Sequence, residues 1–154
     1  MRIGLGIDVH PYDTERPLIL CGITLSNHGG LGGHSDGDVC LHALMDAILG
    51  AVGEEDIGVL FPTTEARKGS SSLVMLEQVA EMVAKTGLTL LTADIALVME
   101  TPKIAPYRVQ MRTKLQSYFP LAALHIKATT CEGLGFIGRG EGVAALAVAL
   151  VGPP

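Results

Sequence analysis

Arg2-Ile-Gly-Leu-Gly-Ile-Asp-Val-His10 alternates Ile3, Leu5, Ile7 and Val9 with Gly4, Gly6, Asp8 and His10. That period of two is a strand's, because successive side chains of an extended chain leave opposite faces. Asp8 and His10 therefore share a face, where a carboxylate and an imidazole can converge on one point. The glycines before them are expected to leave that face bare, with room for a substrate. His42 lies in a later stretch of helical period that could cross it. Three protein ligands plus one open position is the ligand count of a catalytic zinc, and a mixed carboxylate and imidazole set suits zinc better than magnesium or calcium.

The chain has 154 residues, enough for one hydrophobic core without disulfides. No stretch has linker composition, so residues 1–154 are expected to form a single catalytic domain. Its 16 acidic and 11 basic side chains give a net charge of −5, and aromatics make up only 4%. There is thus neither a basic footprint nor a stacking platform for nucleic acid. Cys21, Cys40 and Cys131 include no Cys-x-x-Cys pair and are read as reduced packing residues of a cytoplasmic protein. No apolar run reaches the roughly 20 residues of a membrane helix, and no membrane partner is expected.

Pro17-Leu-Ile-Leu-Cys-Gly and Ile23-Thr-Leu read as short strands, followed by a loop rich in glycine that delivers His34. From Asp38 the period turns helical, with Leu41, Leu44, Met45, Ile48 and Leu49 as the apolar stripe and Ser35, Asp36 and Asp38 as candidate caps. A second helix fits Ser70 to Lys85, and a polar loop from Glu54 to Gly69 separates the two. Leu88 to Met99 is rich in β formers, Ala105 to Phe119 carries a weaker helical pattern, and His125 to Glu132 reads as a strand. The alanine-rich segment Gly142 to Val151 is assigned as a buried strand, although periodicity alone would also allow a helix. The expected class is α+β, a single mixed β-sheet with helices packed on one face. Its other face would need a partner, which points to an oligomer.

Asp46 stands one helical turn after His42 and is expected to accept the ring N–H that a metal-bound imidazole leaves free. Asp38, one turn before, reads as a solvated carboxylate at a helix start. His28 and His125 read as surface or structural histidines. The second dense region is Ala128-Thr-Thr-Cys-Glu-Gly-Leu-Gly-Phe-Ile-Gly-Arg-Gly-Glu-Gly142. Glycine lets backbone N–H groups approach phosphate oxygens, and the threonines and Arg139 add donors. A tight turn closed by an Arg139–Glu141 ion pair would account for the same loop. Glu132 could hold a magnesium-like ion through one oxygen, leaving substrate and water to complete the shell.

These motifs together resemble the 2-C-methyl-D-erythritol 2,4-cyclodiphosphate synthase family over essentially the whole chain. The matching segments are Gly6-Ile-Asp-Val-His10, His34-Ser-Asp-Gly-Asp-Val39 with His42 and Asp46, Asp56-Ile-Gly58 with Phe61-Pro62, Pro102-Lys103, Lys127-Ala-Thr-Thr130 and Gly135-Phe136 to Gly138-Arg-Gly-Glu-Gly142. The resemblance implies one zinc per subunit on Asp8, His10 and His42, and a magnesium or manganese ion on Glu132 bridging the substrate diphosphate. It implies that His34 and Thr130 stabilise the transition state and that Asp8, His10, His34 and Ser35 touch substrate. Asp56, Ile57, Gly58, Phe61, Pro62, Thr63, Thr64 and Glu65 would hold the methylerythritol part. Met99, Glu100, Thr101, Pro102, Lys103, Ile104 and Ala105, with Thr129, Thr130, Cys131 and Glu132, would receive the cytidine and its phosphates.

The family resemblance further implies a homotrimer with active sites between adjacent subunits. Phe136 and Arg139 would lie toward a central cavity that accepts an isoprenoid diphosphate. The implied reaction closes 4-diphosphocytidyl-2-C-methyl-D-erythritol 2-phosphate into a cyclic diphosphate and releases CMP, in the non-mevalonate route to isoprenoid precursors. Thr63 departs from the Asp usual at its position, Cys131 from Thr and Gly133 from Lys. A metal-dependent phosphohydrolase and a non-catalytic trimeric binding protein with structural zinc are the competing readings.

Overall fold

The computed structural model describes residues 1–64 and 69–154. Strand β1 (Arg2–Asp13) contains the alternating stretch to His10 and continues three residues beyond it, and it pairs antiparallel with β7 (Gly142–Gly152). β7 pairs antiparallel with β5 (Thr89–Val98), β5 lies parallel to β6 (Ala123–Thr129), and β4 (Gly30–Leu31) joins the far edge of β1. This gives a mixed sheet in the order β4-β1-β7-β5-β6. Strands β2 (Leu18–Leu20) and β3 (Ile23–Ser26) form a separate ribbon, which corrects the expectation that all strands join one sheet. The helices are α1 (Val39–Val52), α2 (Ile57–Leu60), α3 (Ser72–Lys85), α4 (Arg108–Gln116) and α5 (Gly135–Gly138).

Three short elements lie where only loops are expected: β4 among the glycines, α2 in the polar loop and α5 after Glu132. Each is shorter than the window over which periodicity can be read. β6 begins before His125 and ends at Thr129. Glu132, with φ of 52°, and Gly133, with φ of 76°, stand in the left-handed region, which an extended strand cannot enter.

Helix α1 is the centre of the core: Leu41, Leu44, Met45, Ile48 and Leu49 are fully buried, and so are Ala43 and Ala47. It lies directly on β1. A Cβ built on Gly4 would stand 1.9 Å from the carbonyl oxygen of Ala47, and one on Gly6 would stand 2.0 Å from that of Ala43. The glycines of β1 are therefore filled by a helix backbone and leave no room there for substrate, which corrects the earlier expectation. Opposite them in register, Ala149 and Ala147 of β7, with Ala145 opposite Asp8, extend the same floor of small residues. This close approach explains an alanine-rich strand whose propensity alone is indifferent.

Asp38 caps α1 by accepting from the N–H of Leu41 at 3.1 Å, and it also takes the N–H groups of Cys21 and Gly22 at 3.0 and 2.6 Å. It is fully buried, not a solvated carboxylate, because it ties the turn of the β2–β3 ribbon to the helix that carries His42. Burial pushes its carboxyl up to about 6, against the pull of those N–H groups. An unfolded aspartate titrates near 3.9, so between these values the folded chain holds a proton that the unfolded chain has lost. The cost of burying the charge is complete above pH 6 and is relieved as the pH falls towards 4. In urea melts, the stability of the natural chain relative to Asp38→Asn should grow by about 2 kcal/mol from pH 7 to pH 4. A difference that shrank over that range would show that the donors outweigh burial.

The helices leave one face of the sheet open. Ile3, Leu5, Ile7 and Val9 are 48% to 71% exposed, and their register neighbours Leu146 and Val148 are 37% and 40% exposed. Across β5 and β6 the same face turns polar: Asp94 stands between Val148 and His125 in register and pairs with Lys127 at 2.5 Å.

Candidate metal centre

Asp8 and His10 leave β1 on the helix side, and α1 crosses there so that His42 meets them. Asp8 Oδ2 lies 2.8 Å from His10 Nε2 and 2.9 Å from His42 Nδ1, and the two nitrogens are 3.1 Å apart. The ring of His10 is oriented by its other nitrogen, which meets the carbonyl of Gly32. A carbonyl can only accept, so Nδ1 carries the proton and the lone pair of Nε2 points at Asp8. Ligand atoms 2.0–2.1 Å from a tetrahedral ion stand about 3.3 Å apart, close to the spacing observed. The donor set also fits chemically, since three electron-rich atoms this close need a proton or a cation between them. The three residues suit a divalent metal.

The protein's electrostatics agree with that geometry. Burial alone would raise the Asp8 carboxyl, but its hydrogen bonds to His10 and His42 and their charge hold it well below the usual carboxylate range. For His10, burial pulls the other way from Asp8, and the carboxylate wins, raising the imidazole.

His10 and His42 open onto a cavity of about 210 Å³ whose wall includes His34, Ser35, Ile57, Gly58, Phe61 and Thr63. His34 Nε2 donates to the carbonyl of Thr64 at 2.6 Å, and the His34 carbonyl takes the N–H of Gly69 at 2.7 Å. Asp56 caps α2, its Oδ1 accepting the N–H of Val59 at 3.0 Å. Pro62, Thr63 and Thr64 are exposed, while Glu65 lies outside the described residues. Asp46 does something other than expected: its carboxylate accepts the N–H of Ile57 at 2.9 Å and so positions α2. Helical side chains lean towards the N-terminus, which tilts the His42 ring away from Asp46. Nε2 of His42 instead meets Ser72 Oγ at 2.9 Å and Ser35 Oγ at 3.1 Å.

The start of the second dense region borders a different cavity, about 290 Å³, lined by Met99, Glu100, Pro102 to Ala105 and Arg108 together with Ala128, Thr129 and Thr130. Met99 and Ile104 are buried at its base, whereas Thr101, Pro102, Lys103 and Ala105 are exposed. Glu100 joins its two halves by accepting the N–H of Cys131 at 2.8 Å, and Tyr12 holds the carbonyl of Thr101 at 2.7 Å. The Thr130 hydroxyl donates to Glu132. Phe136 and Glu141 line a further hollow with His10, and the Arg139–Glu141 ion pair forms at 2.6 Å between exposed side chains.

Sequence reasoning missed three residues here. Arg16 clamps the glycine loop by donating to the carbonyls of Gly33 and Ser35. Arg108 lines the second cavity, and Ser72 touches His42. Only Ser72 carries a signal, as a serine at the start of α3, and the ordinary role of a serine there is to cap the helix.

A model of the YgbB family matches residues 1–152. The chain belongs to the YgbB family. A curated relative from Enterococcus faecalis, named 2-C-methyl-D-erythritol 2,4-cyclodiphosphate synthase, is 47% identical and is covered over 98% of both chains. One of the same name from Syntrophobacter fumaroxidans is 46% identical, with 98% of this chain and 97% of that one covered. Among solved structures, the bifunctional IspDF from Campylobacter jejuni aligns with a TM-score of 0.93 at 40% identity. That alignment covers 97% of this chain and 42% of the bifunctional one. A Plasmodium falciparum IspF described as a CDP complex aligns with a TM-score of 0.86 at 31% identity, over 99% and 96% of the two chains. The YgbB relatives thus share the α+β fold over the whole chain, and the metal triad described above sits in it.

Proposed function

We propose that this chain is a 2-C-methyl-D-erythritol 2,4-cyclodiphosphate synthase, a single catalytic domain over residues 1–154 that acts in the cytoplasm in isoprenoid precursor synthesis. Its substrate would be 4-diphosphocytidyl-2-C-methyl-D-erythritol 2-phosphate. The observation that carries the reading is the convergence of Asp8, His10 and His42 within about 3 Å of one another in a chain 47% identical to a synthase of that name. The wider match to a CDP-bound relative supports a cytidine ligand. Among the described residues, no helix is long and apolar enough to cross a membrane.

An oxygen of the 2-phosphate attacks the β-phosphorus, and the bond from that phosphorus to the bridging oxygen breaks, so CMP leaves with the bridging oxygen. The nucleophile is already an anion at neutral pH, so the chain needs no activated serine or cysteine. Alignment and charge neutralisation carry the step. Zinc on Asp8, His10 and His42, with magnesium or manganese on Glu132, would supply that neutralisation. His34 and Ser35 hold the attacking phosphate, and the segment Asp56–Gly58 with Phe61, Pro62, Thr63, Thr64 and Glu65 encloses the methylerythritol part. Lys103 and the hydroxyls of Thr129 and Thr130 donate to the diphosphate beside Cys131, while Met99 to Ala105 receive the cytidine. His10 and His42 of the triad line one cavity and the cytidine segment another, which supports a homotrimer whose active sites form between neighbours. The apolar face of β1 and β7 supplies an interface, with Phe136 and Arg139 towards an inner cavity fit for an isoprenoid diphosphate.

Incubation with the cytidylyl substrate should yield CMP and a cyclic diphosphate in equal amounts, and linear phosphates would establish the phosphohydrolase reading instead. Lys103→Ala should raise KM on the order of tenfold, the worth of one hydrogen bond to a charged group, without changing metal content. In sedimentation, full turnover by a monomer would overturn the shared site.

A further inference from the structure

Behind His42 lies a second layer that the reaction does not explain. Ser72 is fully buried at the start of α3, next to its cap Ser71. Its hydroxyl lies 2.9 Å from His42 Nε2 and 2.5 Å from Asp36 Oδ1, and its backbone N–H donates to Asp36 Oδ2 at 2.9 Å. Asp36 is in turn fixed by its own N–H, which donates to the carbonyl of Ser70 at 3.0 Å. An ionised carboxylate only accepts, so the Ser72 proton goes to Asp36 and the Ser72 oxygen is left with lone pairs facing His42. Two acceptors thus compete for the one proton of a neutral His42: Asp8 at Nδ1 and Ser72 at Nε2. A metal-binding Nδ1 must be bare.

We propose that Ser72, held by Asp36, is a positioning residue that keeps the His42 proton on Nε2 and so presents Nδ1 to the metal. This rests on the metal reading given above. Ser35, whose hydroxyl also lies near Nε2 at 3.1 Å, takes the N–H of Gly37 at 3.4 Å and, among the described residues, meets no carboxylate that would set its direction. The role expected of Asp46 by helical spacing falls instead to a serine from another helix. The pairing of Ser72 and Asp36 also ties the start of α3 to the loop that carries His34.

The test uses the full chain and zinc alone, with no substrate. Competition against a chelator should show zinc dissociation constants raised about 10–100-fold in Ser72→Ala and raised less in Asp36→Asn. In the zinc-loaded natural chain, nitrogen NMR of labelled histidine should show a slowly exchanging proton on His42 Nε2, and in Ser72→Ala that proton should exchange with water much faster. Should Ser72→Ala fail to fold, the NMR signal and Asp36→Asn still decide. A dissociation constant within twofold of the natural chain in the folded variants, or a rapidly exchanging Nε2 proton in the natural one, would overturn the proposal. If zinc binds with this signature but no cyclic product forms, the assigned reaction falls and the positioning role stands.

Discussion

His42→Ala should lower turnover by on the order of 10³-fold while the chain still folds, because losing several kcal/mol of charge stabilisation scales to that factor. His42 is 6% exposed and its imidazole touches β1, the loop before α1 and the start of α3. Truncation leaves the Asp8 carboxylate facing a single histidine. The fold itself rests on the neighbours of His42: Leu41, Ala43, Leu44 and Met45 are all fully buried and remain in place. Zinc content by atomic absorption should fall with turnover, since two protein ligands do not make a closed site. The measurement separates the enzyme from a binding protein with structural zinc, for which unfolding would accompany the lost metal. If His42→Ala keeps a tenth or more of natural turnover, the centre is not where the charge is neutralised.

The convergence behind that expectation was legible because β1 obeys a period of two from Ile3 to His10 and α1 a helical one. Two long elements with clear periods are enough to bring Asp8, His10 and His42 to one crossing. What stayed hidden depends on contacts between segments with no local signature. Ser72 reaches His42 only because α3 starts beside α1, and Asp38 is buried only because the β2–β3 ribbon folds over it. The glycines of β1 were read for the correct face but for the wrong occupant, since alternation says which side is bare and not what will lie on it. Nor could spacing reveal that Asp94 sits beside His125 and Lys127, because that pairing follows from the parallel register of β5 and β6. His125 thus has an acidic neighbour in space although it has none in sequence.

Gly6→Ala tests that occupant, and it should destabilise the chain by about 3 kcal/mol or more, beyond the usual cost of overpacking. The added methyl would stand 2.0 Å from the carbonyl oxygen of Ala43 and 2.7 Å from the backbone N of Ala47. Neither atom can turn aside as a flexible side chain would, so α1 must lift from the sheet as a body. At this chain length the melting temperature should fall by roughly 10 °C. Lifting α1 carries His42 away from Asp8, so zinc affinity should drop in the same variant although no ligand has been changed. Gly50→Ala is the control within the same helix. Gly50 is exposed and a Cβ there meets nothing within 4 Å, so this change should stabilise by about 0.5–1 kcal/mol through helix propensity alone. Should Gly6→Ala melt with the natural chain and bind zinc as tightly, the helix would not rest on the glycines. The bare face of β1 would then be open to substrate after all.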